Sequence, residues 1–113
     1  MIGSMSVNGV IELFEQVFFK KLGESGAQVA PEVLLQTKGA LSKIKQRIKL
    51  VALMRQKGEV TAAAATTLLS MEKESVTLHL LAVMGMSKVL IQSSVNAAMS
   101  AVEAALNALS ASL

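Results

Sequence analysis

The 113-residue chain has no cysteine, no aspartate, no tryptophan and no tyrosine, a single proline and a single histidine. Each absence removes a class of chemistry. Without cysteine there is no disulfide framework, no thiol nucleophile and no thiolate metal site. Without aspartate, and with His79 as the one imidazole, a Ser-His-Asp relay is excluded, and the Glu-x-x-His repeats that build a di-metal site in a helical bundle are missing. The inventory points away from an enzyme and implies no cofactor and no metal. It leaves the compartment open, because a cysteine-free chain suits both a reducing cytosol and a secreted assembly held by packing alone. Phe14, Phe18 and Phe19 are the only aromatic rings in a chain that is 52% hydrophobic. The apolar mass is therefore alanine, leucine, valine and methionine, which suits close helix-to-helix packing and implies burial between chains or against lipid.

What is present reads as helix throughout. Val7, Val10, Ile11, Phe14, Val17, Phe18 and Leu22 recur every three or four positions and predict a first helix over about residues 7–22. Its early Glu12 and Glu15 and late Lys20 and Lys21 complement the helix dipole. Gly23 and Gly26 open a linker to residue 30, after which Pro31 begins and Gly58 ends a second helix over about residues 31–57. There Leu34, Leu41, Ile44, Ile48 and Val51 are spaced by seven, three, four and three, a heptad seam. Thr61 is placed to cap a third element ahead of the Ala62 to Ala65 run. Leu68, Met71, Leu78, Leu81, Ala82, Val89, Val95, Met99, Val102, Leu106 and Leu109 then sustain helical spacing over about residues 61–110. As one rod this element would be roughly 75 Å long at ~1.5 Å per residue, so it either projects from the molecule or bends back near Gly85. The expectation is an all-α, single-domain, three-helix arrangement with a long C-terminal helix or helical hairpin.

A membrane span has little support. The uncharged window 75–87 contains His79 and is closed by Lys88, and the window 89–102 contains Gln92, Ser93, Ser94, Asn96 and Ser100. Both fall short of the roughly 20 apolar residues that a span requires. The first residues, Met-Ile-Gly-Ser-Met-Ser, lack the charged start and apolar core of a secretory signal.

Two groups of residues are candidates for binding. The first is the basic run 38–57, which holds seven of the eleven lysines and arginines with no acidic residue among them. Lys43, Lys45, Arg47, Lys49 and Arg55 form its candidate contact set for a nucleic-acid backbone, an anionic membrane surface or an acidic partner. No aromatic residue is interleaved for base stacking, and a solvated helix face accounts for the same pattern. The second group is Leu68, Met71, Leu78, Leu81, Val89, Met99 and Leu106, a candidate self-association stripe on the C-terminal element. Small residues from Gly85 to Ala108 allow close helix approach and favour a homo-oligomer over a ligand cavity. Met54, Met71, Met84, Met86 and Met99 suit either an adaptable binding surface or a core, and His79 suits a packed position on a helix.

The segment 68–80, Leu-Leu-Ser-Met-Glu-Lys-Glu-Ser-Val-Thr-Leu-His-Leu, resembles the C-terminal signature of the flagellar basal-body rod adaptor family, FliE, whose helical style is shared by inner-rod subunits of type III secretion injectisomes. The resemblance implies a structural subunit whose C-terminal helix stacks beside copies of itself at the base of an export channel. It also implies no cofactor, other secretion-apparatus subunits as partners, and a place in the bacterial cell envelope or export without a cleaved signal. Outside that resemblance the chain reads as cytoplasmic. The alternatives are a small helical module that uses the basic face on nucleic acid or anionic membrane, and a membrane-associated, holin-like protein that uses residues 78–91.

Overall fold

The computed structural model describes residues 6–26 and 28–111, with side chains through residue 108. The first five residues, read above for a signal, and the Leu109 side chain lie outside the described residues. Four helices are formed: α1 (Val7–Glu24), α2 (Pro31–Gln56), α3 (Ala62–Met84) and α4 (Lys88–Ala111). Among the described residues there is no strand.

Local chemistry sets the boundaries. Ser6 caps α1 by accepting the Gly9 N–H at 3.0 Å, and Thr61 caps α3 by accepting the Ala64 N–H at 3.1 Å. Pro31 stands at the start of α2, where its missing N–H has no cost. The long C-terminal element is the hairpin, not the rod, and this raises the helix count from three to four. Gly85 adopts a left-handed conformation with φ of 66° and donates its N–H to Leu81 O at 3.1 Å. Two residues later Ser87 accepts the Leu90 N–H at 3.2 Å and starts α4. A glycine that closes one helix and a serine that caps the next turn the chain back.

The packing is that of an up-down-up-down bundle. Lys45 in mid-α2 meets Glu12 and Glu15 in mid-α1, and Arg47 meets Glu72 in mid-α3. Lys21 and Glu24 at the end of α1 lie beside Leu90 and Ser93 at the start of α4. Met54 at the end of α2 lies beside Leu68 at the start of α3, so these two pairs, α1 with α4 and α2 with α3, run antiparallel, as short connections between neighbours require. Helix α4 packs on all three others, while α1 and α3 make no close backbone approach.

The core joins Val10, Phe14, Phe18 and Leu22 of α1 to Leu41, Ile44, Ile48 and Val51 of α2, four of the five residues of the heptad seam read from the sequence; the fifth, Leu34, is half-buried outside that core. From the hairpin come Leu69, Leu80, Ile91, Val95, Met99, Val102 and Leu106. By length and composition one helix, Lys88–Ala108, is long and apolar enough to cross a membrane, with mean hydropathy 1.3. In the bundle its apolar row is the one the other helices cover. Its outward row is Asn96, Ser100, Ala104, Asn107 and Ala108.

Candidate functional site

Charge divides the bundle into two halves. Nine of the eleven lysines and arginines precede residue 58. The outer faces of α1 and α2 accordingly carry Glu12, Lys20, Lys21, Glu24, Glu32, Lys38, Lys43, Arg47 and Lys49. The hairpin side is different. The exposed face of α4 has one charge, Lys88 at its start. The exposed face of α3 also has one, Glu74, among Leu68, Met71, Leu78 and Ala82, with Thr67, Ser70 and Ser75 between them.

Helix α3 thus carries two apolar seams. The inner one, Ala65, Leu69, Val76, Leu80 and Met84, is buried against the bundle. The outer one runs Ala64, Leu68, Met71, Ser75, Leu78 and Ala82, alternating steps of four and three, the spacing by which helices pair along a seam. Among the described residues it is only partly covered: Met71 is 71%, Leu78 52% and Leu68 37% exposed.

The expected self-association residues divide accordingly. Leu68, Met71 and Leu78 share the outer seam, Leu81 is half-buried, and Val89 stands 77% exposed at the start of α4. Met99 and Leu106 are corrected: both are 1% exposed, spent on the bundle's own core, because α4 turns back at Gly85 and packs its apolar row on α1, α2 and α3. The methionines divide in the same way. Met84 and Met99 are core, Met54 and Met86 are half-buried, and Met71 is exposed.

The basic set divides too, since carboxylates from neighbouring helices lie against part of it. Lys45 Nζ is 2.8 Å from Glu15 Oε1 and 3.4 Å from Glu12 Oε1. Arg47 Nε lies 3.4 Å from Glu72 Oε2. Arg55 Nη1 donates to Val60 O at 3.0 Å, tying the end of α2 to the following turn, while its Nε is buried without a partner. Lys43 and Lys49 remain exposed with no ion pair among the described residues. The two do not act together. Lys49 follows Lys45 by one turn on the α1 side of the helix, whereas Lys43 and Arg47 look toward α3.

Between α2 and α3 lies a groove of about 350 Å³ lined by Leu50, Val51, Met54, Leu68 and Met71, with Arg47 and Glu72 at its edge. A second space adjoins it, lined by Lys43, Gln46, Arg47, Leu50 and Glu72, with Arg47, Leu50 and Glu72 common to both. Leu50 is a groove residue that the sequence reading missed, and Leu35, 73% exposed near the start of α2, is a second exposed leucine it did not single out. Leu50 lies outside the heptad seam of α2, and an apolar residue amid Gln46, Arg47 and Lys49 was the available signal. His79 is half-buried, and among the described residues no cluster of three or more His and Glu side chains is placed to hold a metal. The segment 78–91 is interrupted by the turn at residues 85–87, and Ile91 is buried in the core, so it is not one continuous apolar helix.

Comparison with family models, with curated proteins and with solved structures finds no match to this chain.

Proposed function

We propose that this chain is a structural subunit that self-assembles through its C-terminal hairpin, with the outer seam of α3 as the contact, in the manner of a secretion or flagellar rod component. One observation carries the reading: among the fully exposed positions of α3 the one charge is Glu74, beside half-buried Glu72 and Lys73, and a largely exposed apolar row runs there at helix-pairing spacing. The uncharged small-residue face of the adjacent α4 supports it, since a partner helix approaches closely there.

The magnitudes favour an array over an isolated pair. Leu68, Met71 and Leu78 are already partly covered, so burying them adds about 1 kcal/mol per side chain, or roughly 6 kcal/mol from two copies. Association costs about 4–15 kcal/mol in lost freedom of motion. One α3 contact sits near balance, and a stable assembly follows when each subunit makes such contacts more than once, as in a ring or rod.

Sedimentation velocity over a wide concentration range in detergent-free buffer tests this. The native chain is expected to grow in mass with concentration, whereas Leu78→Glu and Met71→Glu stay monomeric with unchanged helical circular dichroism. A native chain that sediments as a monomer throughout, or charged variants that assemble as it does, overturns the reading.

A further inference from the structure

We propose that the trough between α2 and α3 receives an amphipathic helix from a partner protein, one that carries carboxylates beside its apolar edge. The two spaces described above have Arg47, Leu50 and Glu72 in common and follow one another along the antiparallel helix pair, where a single helix spans both. Its character changes along its length. Toward the end of α2 the walls are Leu50, Met54, Leu68 and Met71; toward the middle they are Lys43 and Arg47. Glu72 answers Arg47 at 3.4 Å and nothing answers Lys43, so the polar end keeps a net positive charge.

That pairing of features selects the occupant. A third helix laid on two antiparallel helices places aliphatic side chains into the apolar stretch, as ridges fit grooves, and a carboxylate on its flank then reaches Lys43. A lipid surface is a poorer fit, because the floor of the recess, Val51 and Met54, lies between two helices and the carboxylate of Glu72 stands at its edge. Nucleic acid is a poorer fit still. Phe14 and Phe18 are buried and Phe19 half-buried, which leaves no exposed ring for stacking among the described residues. Leu50 gives the trough an identity separate from the α3 seam, since it belongs to α2 and is half exposed in a helix whose other outward residues are mostly polar or charged.

The probes are two labelled synthetic helical peptides with the same leucine pattern, one flanked by glutamate and one by lysine, and vesicles of mixed neutral and anionic phospholipid. Fluorescence anisotropy should show the glutamate peptide bound about tenfold more tightly than the lysine peptide, with the difference shrinking in high salt. Lys43→Glu should remove or reverse that preference. Leu50→Glu should weaken binding at least about thirtyfold by placing a charge in the apolar stretch. Both positions are exposed, and circular dichroism checks that the variants remain folded. Leu78→Glu, which removes self-association in the assembly reading, should bind the glutamate peptide at least as tightly as the native chain, so the two proposals fail separately. Equal affinity for both peptides, no binding of either, full binding by Leu50→Glu, or binding of vesicles alone overturns the inference.

Discussion

Lys45 of α2 reaches across to α1, where its Nζ donates a hydrogen bond to Glu15 Oε1 at 2.8 Å, thirty residues back in the chain. Glu12 Oε1 lies on the same ammonium at 3.4 Å. A lysine counted from the sequence among free surface cations instead helps to seat the first helix on the second.

The hydrogen bond to Glu15 is the largest influence on Lys45. With the attraction of both carboxylates it outweighs burial and raises the ammonium pKa above its ordinary 10.5. A raised folded-state pKa means stability that is fully present below the unfolded value and lost as pH climbs through the folded one. Lys45→Gln is expected to lower stability by about 1 kcal/mol at neutral pH, with the gap to the native chain closing at strongly alkaline pH. Urea unfolding of both proteins across that range measures it.

Phe14 and Phe18 are fully buried with near-parallel rings, centroids 6.4 Å apart and planes 9° apart, and Phe19 meets Phe18 edge-on at 5.3 Å. In a core otherwise built from aliphatic side chains and alanine, little can move in to fill a missing ring. Phe18→Ala should cost about 3–5 kcal/mol, a large part of the stability of a small domain, and should be visible as a steep fall in thermal midpoint.

Gly85 and Gly39 should respond in opposite directions to the same substitution. A Cβ at either position meets no atom within 4 Å, so sterics do not distinguish them. Backbone does: Gly85 has φ of 66°, while Gly39 is in the interior of α2. Gly85→Ala should destabilise by about 1–2 kcal/mol and Gly39→Ala should stabilise by about 0.5–1 kcal/mol. Chemical denaturation of the two variants decides it.

Ser94 is buried on α4 and its Oγ has no hydrogen-bond partner, unlike Thr37, whose hydroxyl donates to Val33 O at 2.7 Å. An unpartnered buried hydroxyl costs about 1–3 kcal/mol in desolvation. Ser94→Ala should therefore be neutral or stabilising, whereas Thr37→Val, which removes a made bond, should not gain. Paired urea titrations compare them.

Much of the fold was legible because its signals are local. The caps at Thr61 and Pro31, the heptad seam of α2 and the apolar face of α1 depend on neighbours within a turn or two. The Gly85 turn was half legible. Glycine alone reads as a modest weakening of about 1 kcal/mol, and the decision to stop came from the pairing of Gly85 with Ser87 as cap of the next helix. The candidate surfaces were less legible. Lys45 and Arg47 looked alike among the cations until Glu15 and Glu72 were brought against them, and Met99 looked like Met71 until α4 folded onto the bundle.

Alone, then, the sequence determined that this protein is helical, where its first three helices begin, that it lacks the groups for thiol or triad catalysis, and that its C-terminal half is short of charge. It could not rank the two seams of α3. Ala65, Leu69, Val76 and Leu80 and the row Ala64, Leu68, Met71 and Leu78 repeat with the same helical spacing, and periodicity is a property of one segment. Burial is a relation between segments far apart in the chain. Only when α2 and α4 closed on one side of α3 did one seam become core and the other an exposed surface.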